Sequence, residues 1–348
     1  MSFKPRLDWL LAAVPVVIVL EITHGDPVAI FIISALAILP LAGLIGHATE
    51  DLAIRTGPQV GGLLNATFGN VTEVIIAFFL ILQGELEVVK ASITGSIIGN
   101  VLLVLGLSFL VGGWRRTEQE FNRASAGLHS ASLIIAVGGL LLPALFSFTP
   151  EASEFRTEAV SVGVSIVLMT AYVLALIFML KTHRTLFRTD IEHGEPKWST
   201  RRALGTLIGA TVAVAFMSEF LVGALEHTVE ELGLSKLFVG LIVVPLVGNA
   251  AEHSSAIILA ARNKMEVSIE IAIGSSTQIA LFIAPLLVFA SLAVGTPMDL
   301  IFSGIEIAAV AFSAAIVGFI VADGRSNWFE GVQLLAAYVV LAISFFFL

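Results

Sequence analysis

The sequence predicts an all-α polytopic membrane protein: eleven transmembrane helices, arranged as helix 1 plus two inverted five-helix repeats. Three observations carry this. Of the 348 residues, 57% are hydrophobic and only 13% charged, with a mean hydropathy of +0.99, and a soluble domain of this size could not bury that much apolar surface. The apolar residues fall into stretches of about 20, the length that crosses a bilayer. Finally, Gly69-Asn70-Val71-Thr72-Glu73 recurs as Gly248-Asn249-Ala250-Ala251-Glu252, 179 positions later.

Taken in order, helices are expected near 9–23, 27–47, 59–82, 88–112, 127–148, 158–180, 203–225, 236–261, 267–292, 299–321 and 328–348. Lys4 and Arg6 ahead of the first apolar run resemble the start of a signal peptide. No small-residue cleavage site follows Val19-Leu20-Glu21, so this run is read as a retained first helix. Helices 3 and 8 carry the two Gly-Asn-x-x-Glu copies. Helices 4 and 9 follow them with Gly95-Ser96 and Asn100, and with Gly274-Ser275 and Gln278. Between helices 6 and 7 lies a polar stretch with Glu192, Glu195 and Pro196, basic at its ends and too short to be a domain.

The connecting loops then alternate between two faces. The amino-terminal side holds 15 of the 18 lysines and arginines, and the other side holds only Lys90, Arg156 and Lys236. The positive-inside rule therefore places the amino terminus in the cytoplasm and the carboxyl terminus on the opposite side of a cell membrane. One missed or added helix would erase the asymmetry.

An ungapped alignment of 61–106 with 240–285 gives 11 identities in 46 positions, among them Gly69, Asn70, Glu73, Glu87, Gly95 and Ser96. The offset carries helix 2 onto helix 7. A unit of five helices enters the membrane from opposite faces in its two copies, which makes the repeat inverted. The chain divides accordingly into a first helix (1–25), a first repeat (26–181), a cytoplasmic hinge loop (182–202) and a second repeat (203–348).

A glutamate near the middle of a membrane helix costs roughly 3 kcal/mol on insertion scales, so such residues are rare and mark functional sites. Glu73 and Glu252 lie about two-thirds along their helices, at matching positions. On a continuous helix, Gly69 and Asn70 share a face with Glu73, and Gly248 and Asn249 with Glu252. The glycines Gly69, Gly248, Gly95 and Gly274 allow close backbone approach. Asn70, Asn249, Ser96, Asn100, Ser275 and Gln278 add amide and hydroxyl oxygens. Together these form the hard-oxygen set that Ca²⁺ prefers, with Glu73 and Glu252 as the metal-binding acids. Nothing soft is present: cysteine is absent, and no histidine pair stands at metal-binding spacing. His253 points about 100° away from Glu252 around a helix and is a candidate for tuning that carboxylate or relaying protons. Glu219 and Glu306 also fall within spans and are read as cavity-lining or interhelical partners.

Two neighbouring carboxylates held out of water need their charge cancelled, by protons or by a cation. A divalent cation then enters as protons leave, and competition for one site plus alternating access suffices for antiport. A cation channel is disfavoured, because channels tend to build a pore around a symmetry axis, whereas this chain carries an internal inverted duplication. An intramembrane hydrolase is disfavoured too: no His-Glu-x-x-His, no aspartyl protease signature and no Ser–His pair at motif spacing occur. No enzyme activity, catalytic residue, cofactor or nucleic-acid partner is expected.

Gly-Asn-x-x-Glu in both halves, with His253 after the second, resembles the calcium/cation–proton exchangers of the cation/Ca²⁺ exchanger superfamily. The flanks Gly61-Gly62-Leu63-Leu64-Asn65-Ala66-Thr67-Phe68 and Ser326-Asn327-Trp328-Phe329-Glu330-Gly331 agree. The resemblance runs from about residue 30 to the end. It implies Ca²⁺ exported against H⁺, a cation site at Glu73 and Glu252, and, in many members, homo-oligomers in the bilayer. The acidic segment that members commonly carry between the halves is reduced here to Asp190, Glu192 and Glu195 amid basic residues. Sodium-coupled relatives tend to have a further intramembrane aspartate in the second half. Ser275-Ser276-Thr277-Gln278 has none, which favours protons over Na⁺ as the coupling ion.

Overall fold

The computed structural model describes residues 7–183 and 196–348. Lys4, Arg6, and Asp190, Glu192 and Glu195 of the hinge loop lie outside the described residues. Thirteen helical segments follow in order: α1 (Trp9–Ile22), α2 (Pro27–Phe68), α3 (Val71–Leu82), α4 (Leu86–Gly113), α5 (Arg123–Ser147), α6 (Glu154–Thr182), α7 (Thr200–Gly223), α8 (Leu225–Leu232), α9 (Lys236–Gly248), α10 (Ala250–Ala261), α11 (Met265–Val294), α12 (Gly304–Ile320) and α13 (Trp328–Phe346). Side-chain caps start many of them. Asp26 accepts from the Ala29 N–H ahead of Pro27, and Ser153, Ser199, Ser303 and Asn327 do the same for α6, α7, α12 and α13.

Eight described helices are long and apolar enough to cross a membrane, and nine if the pair α8 and α9, bent by 119°, counts as one span. The expectation of eleven exceeds this. Two of the expected crossings are served by short pieces, α1 and α3. The second expected helix, 27–47, runs on without interruption to a sharp kink at Gly57 (φ 83, ψ 171) and into the stretch expected to open the third. That backbone conformation is one glycine alone adopts readily. The expected start of the tenth helix at 299 shifts to Gly304, where Ser303 and Glu306 form a reciprocal capping box. A two-residue antiparallel pairing, β1 (Gln119–Glu120) with β2 (Arg325–Ser326), ties together two loops distant in sequence.

The repeats interlock. The first helices of each, α2 and α7, pack along one another, and α3 lies against α7 and α11. Over the most apolar stretch, α4 is 78% buried and α11 56%, whereas α6 and α13 are 17% buried and face outward. The enclosed pair α4 and α11 share a local feature: a π-helical turn, Gly99–Val104 in α4 and Ile279–Ile283 in α11. Such turns free backbone groups and frequently occur at functional sites.

Candidate functional site

Each Gly-Asn pair breaks its span. The α2 helix stops at Phe68 and α3 begins at Val71, with Asn70 between them at φ −103, ψ 22. In the second repeat α9 stops at Gly248 and α10 begins at Ala250, with Asn249 at φ −91, ψ 6. The continuous helices expected over 59–82 and 236–261 are therefore pairs of half-helices. Glu73 and Glu252 stand in the first turn of the second half-helix, not in mid-helix. A break leaves terminal carbonyls and N–H groups without intrahelical partners, and at membrane depth such backbone persists only where protein or a polar cavity surrounds it.

An asparagine that opens a helix normally accepts from the first-turn N–H groups. Neither Asn70 nor Asn249 does so; each reaches across to the other repeat. The Ser275 hydroxyl donates to Asn70 Oδ1 at 3.0 Å, and Asn249 Nδ2 donates to Ser96 Oγ at 3.1 Å. Both residues of the first bond map onto the second by the offset of 179, so one contact is made twice with the repeats exchanged. Asn249 Nδ2 also donates to the Pro245 carbonyl at 3.1 Å. A carbonyl only accepts, so the amide orientation is fixed, and Asn249 Oδ1 is left buried with no hydrogen-bond partner.

The acids sit at the same junction. Glu73 is 6% exposed, and neither of its oxygens meets a hydrogen-bond partner; Oε2 of Glu252 is equally bare. The two side chains are close enough to interact electrostatically, and Ser275 is a polar neighbour of Glu252. Each acid packs on the glycine of the opposite repeat, Glu252 on Gly69 and Glu73 on Gly248. Four buried oxygens, two from Glu73 and one each from Glu252 and Asn249, thus lack donors. Buried acceptors without donors are costly.

One branch has no counterpart. His253 Nε2 lies 3.0 Å from Asn100 Oδ1, and Asn100 Nδ2 donates to Ser275 Oγ at 3.3 Å. Since Ser275 donates onward to Asn70, a hydrogen-bonded chain runs from His253 to the first break. Residues 253 and 100 correspond to Val74 and Ile279 in the other halves, so the chain exists once. The half-buried Gln278 ends the α-helical part of α11.

Gly95 makes the expected close approach: a Cβ there would meet the Leu241 backbone, with the carbonyl carbon at 2.6 Å. Gly274 does not, because nothing stands within 4 Å of its Cβ position. The interhelical role for Glu306 holds in a specific form. Its oxygens accept from Thr94 Oγ1 at 3.1 Å and from Ser303 N and Oγ at 2.9 and 2.7 Å. Glu219 is exposed on α7. Among the described residues no three His, Cys, Asp or Glu side chains gather as a metal-holding group. The other polar groups that meet at the breaks are amide, hydroxyl and backbone groups. Sequence reasoning missed the Pro245 carbonyl, whose role depends on the helix break, and the crossed Asn–Ser pairing, which the offset of 179 could have suggested.

Broken spans, paired acids and an inverted duplication define a membrane transporter of the cation-exchanger class. The chain belongs to the sodium/calcium exchanger protein family, whose pattern matches residues 27–181 and 202–347. It is 45% identical to the Ca²⁺/H⁺ antiporter ChaA of Bacillus subtilis, covering 99% of both chains. It is likewise 45% identical to a Ca²⁺/H⁺ antiporter of Aphanothece halophytica, covering 97% of this chain and 95% of that one. The solved structure of native YfkE superposes with a TM-score of 0.88 at 42% identity, covering 99% of this chain and 100% of that one. The H⁺/Ca²⁺ exchanger CAX, at 14% identity and a TM-score of 0.72, covering 98% and 91%, shares the fold.

Proposed function

We propose that this protein is a secondary antiporter that exports Ca²⁺ in exchange for H⁺ by alternating access. Glu73 and Glu252 hold either the cation or protons, and Asn70, Asn249, Ser96, Asn100, Ser275 and Gln278 complete or orient the oxygen set. The observation that carries this reading is the group of four donorless buried oxygens at the two crossed helix breaks. Hard oxygen donors without any sulfur ligand suit a cation that takes 6–8 oxygens, and half-helix ends supply the backbone carbonyls. Relatives named as Ca²⁺/H⁺ antiporters over nearly the whole chain support the same assignment.

The protein works in the cell membrane with its amino terminus cytoplasmic and its carboxyl terminus on the far side, eleven segments in all. The one-plus-five-plus-five division at 1–25, 26–181, 182–202 and 203–348 is supported by the two matched segments, which fall on either side of the hinge loop. Everted membrane vesicles with an imposed pH gradient test the function. Uptake of radiolabelled Ca²⁺ is expected to follow the gradient and to fall to background in Glu73→Gln and in Glu252→Gln. Uptake that persists in both variants overturns the site. Uptake that follows an imposed Na⁺ gradient at fixed pH overturns proton coupling.

A further inference from the structure

The two half-helices that carry the acids are short rods held at their far ends. Both α3 and α10 run 12 residues, with Glu73 and Glu252 in the first turn. A helix of that length is marginal by itself, and across a break the preceding half no longer dictates its direction. What holds the far end therefore bears on where each carboxylate stands, and a binding constellation has to be held to about 0.5 Å.

The far ends are built alike. Eight residues beyond each acid, about 12 Å along the helix, stand Ile81 and Ala260, which the offset of 179 makes equivalent. The Ile81 carbonyl accepts from the Gly84 N–H at 3.0 Å, and the Ala260 carbonyl from the Asn263 N–H at 3.0 Å. Gly84 and Asn263 both take the left-handed conformation that closes a helix, at φ 76 and 63. Each carbonyl is thus satisfied within its own turn. Each nevertheless accepts a second bond from a loop of the other repeat. Thr296 Oγ1, just past α11, donates to Ile81 at 3.3 Å, and Gln119 Nε2, just past α4, donates to Ala260 at 3.3 Å. Gln119 Nε2 also donates to Asn263 Oδ1 at 2.9 Å, and Arg116 of the same loop donates to the Ala261 carbonyl at 3.3 Å.

The two donors are not equivalent residues. The offset pairs Thr296 with Thr117, which is exposed, and Gln119 with Met298, whose side chain cannot donate. One contact is therefore made by different side chains from different positions. A bond that neither carbonyl needed, made twice by different chemistry, ties each rod to its neighbour. Gln119 is 3% exposed and is held in β1 opposite Ser326, so its end of the tie is itself fixed.

We propose that Thr296 and Gln119 are positioning residues of the cation site, each mooring the far end of an acid-bearing half-helix to the opposite repeat. Thr296 sets the stance of Glu73, and Gln119 that of Glu252. This rests on the antiport reading and adds to it two residues at the other end of each half-helix from the acid.

Equilibrium binding of radiolabelled Ca²⁺ to the purified protein tests this without a proton gradient. Thr296→Val and Gln119→Met remove the donor, and each is expected to weaken binding by about two- to tenfold, the reach of one hydrogen bond. Thr296→Ser keeps the hydroxyl and is expected to bind as wild type. A merely structural role lowers the melting temperature and leaves the affinity of the folded protein unchanged; that result in both variants overturns the proposal. Weak binding in Thr296→Ser overturns it as well. Double variants test the route. Thr296→Val with Gly248→Ala, both acting on Glu73, is expected to be non-additive, and Thr296→Val with Gly69→Ala additive. For Gln119→Met the pattern is reversed. Additivity in all four overturns the assignment of each mooring to its acid. Thr296 is only half-buried, so its variants keep the test open should Gln119→Met fail to fold. Binding that weakens as expected in a protein that does not exchange Ca²⁺ for H⁺ overturns antiport alone. Unchanged affinity with exchange intact overturns the mooring alone.

Discussion

Glu73 rests on Gly248. The Cγ of this glutamate lies 2.9 Å from the point where a Cβ on that glycine would stand, and Glu252 Oε1 lies 3.0 Å from the same point on Gly69. Each acid is therefore shaped by a glycine of the opposite repeat, and a methyl group at either position pushes a carboxylate out of place. Overpacking of this kind costs about 1–3 kcal/mol. Gly69→Ala and Gly248→Ala are expected to raise the KM for Ca²⁺ by roughly tenfold while the protein still folds. Initial-rate transport, with thermal melting in detergent alongside, checks this. An unchanged KM in both variants would mean that the glycines do not seat the acids.

The crossed bonds from Ser275 to Asn70 and from Asn249 to Ser96 are one contact repeated. Residues that share a hydrogen bond couple by about 0.5–3 kcal/mol in double-mutant cycles. Asn70→Ala with Ser275→Ala, and Asn249→Ala with Ser96→Ala, are each expected to show such coupling in Ca²⁺ affinity. The uncrossed combinations, Asn70→Ala with Ser96→Ala and Asn249→Ala with Ser275→Ala, are expected to couple less. Equal coupling across all four cycles would contradict the exchange of partners between repeats.

The sequence made the acids legible and left the breaks hidden. Glu73 and Glu252 stand out because charge is rare in long apolar runs and because the copies match. A Gly-Asn pair within such a run reads equally as a packing feature, and nothing local distinguishes an interrupted helix from a continuous one. The same limit applies at Gly57: the kink depends on φ 83, which glycine permits but does not dictate. Gly274 carries the same Gly-Ser pattern as Gly95, yet a pattern shared by two repeats cannot say which copy is engaged. The pairing of Gln119 with Ser326 joins residues too distant in sequence for any periodicity to reveal. Glu306 is instructive in the other direction. Ser303-x-x-Glu306 is a capping-box spacing visible in the sequence, and it sets the helix start at Gly304, inside an apolar run that extends back to 299.

Glu306 is as buried as Glu73, at 4% against 6%, but its oxygens are fully engaged by Thr94 and Ser303. An acid whose lone pairs are met at a helix start is structural. Glu306→Gln keeps the shape but turns part of the acceptor into a donor facing the Ser303 N–H or Thr94. Loss of a helix cap costs about 0.5–2 kcal/mol, which for a chain of this size shifts the melting temperature by a few degrees. The variant is expected to melt earlier and to retain Ca²⁺/H⁺ exchange. Abolished exchange in a stably folded Glu306→Gln protein would return this residue to the ion path.

His253 is hydrogen-bonded to Asn100. Its Nε2 lies 3.0 Å from Asn100 Oδ1, an oxygen that only accepts, so the bond requires the ring proton on Nε2. Asn100 in turn donates to Ser275, which donates to Asn70. Removing the ring leaves a buried acceptor unmet, at a cost of about 1–3 kcal/mol, and frees the amide to rotate. His253→Ala and Asn100→Ala are therefore expected to raise the KM for Ca²⁺ by similar amounts, and the double variant to be little worse than either one. His253→Gln offers an amide donor in place of the ring and is expected to recover most of the affinity. If the histidine also passes protons, the glutamine variant keeps its KM yet loses kcat, because an amide holds the bond without titrating. A His253→Gln protein with wild-type kcat confines the residue to holding Asn100, and independent, additive losses in the double variant would break the chain from His253 to the first helix break.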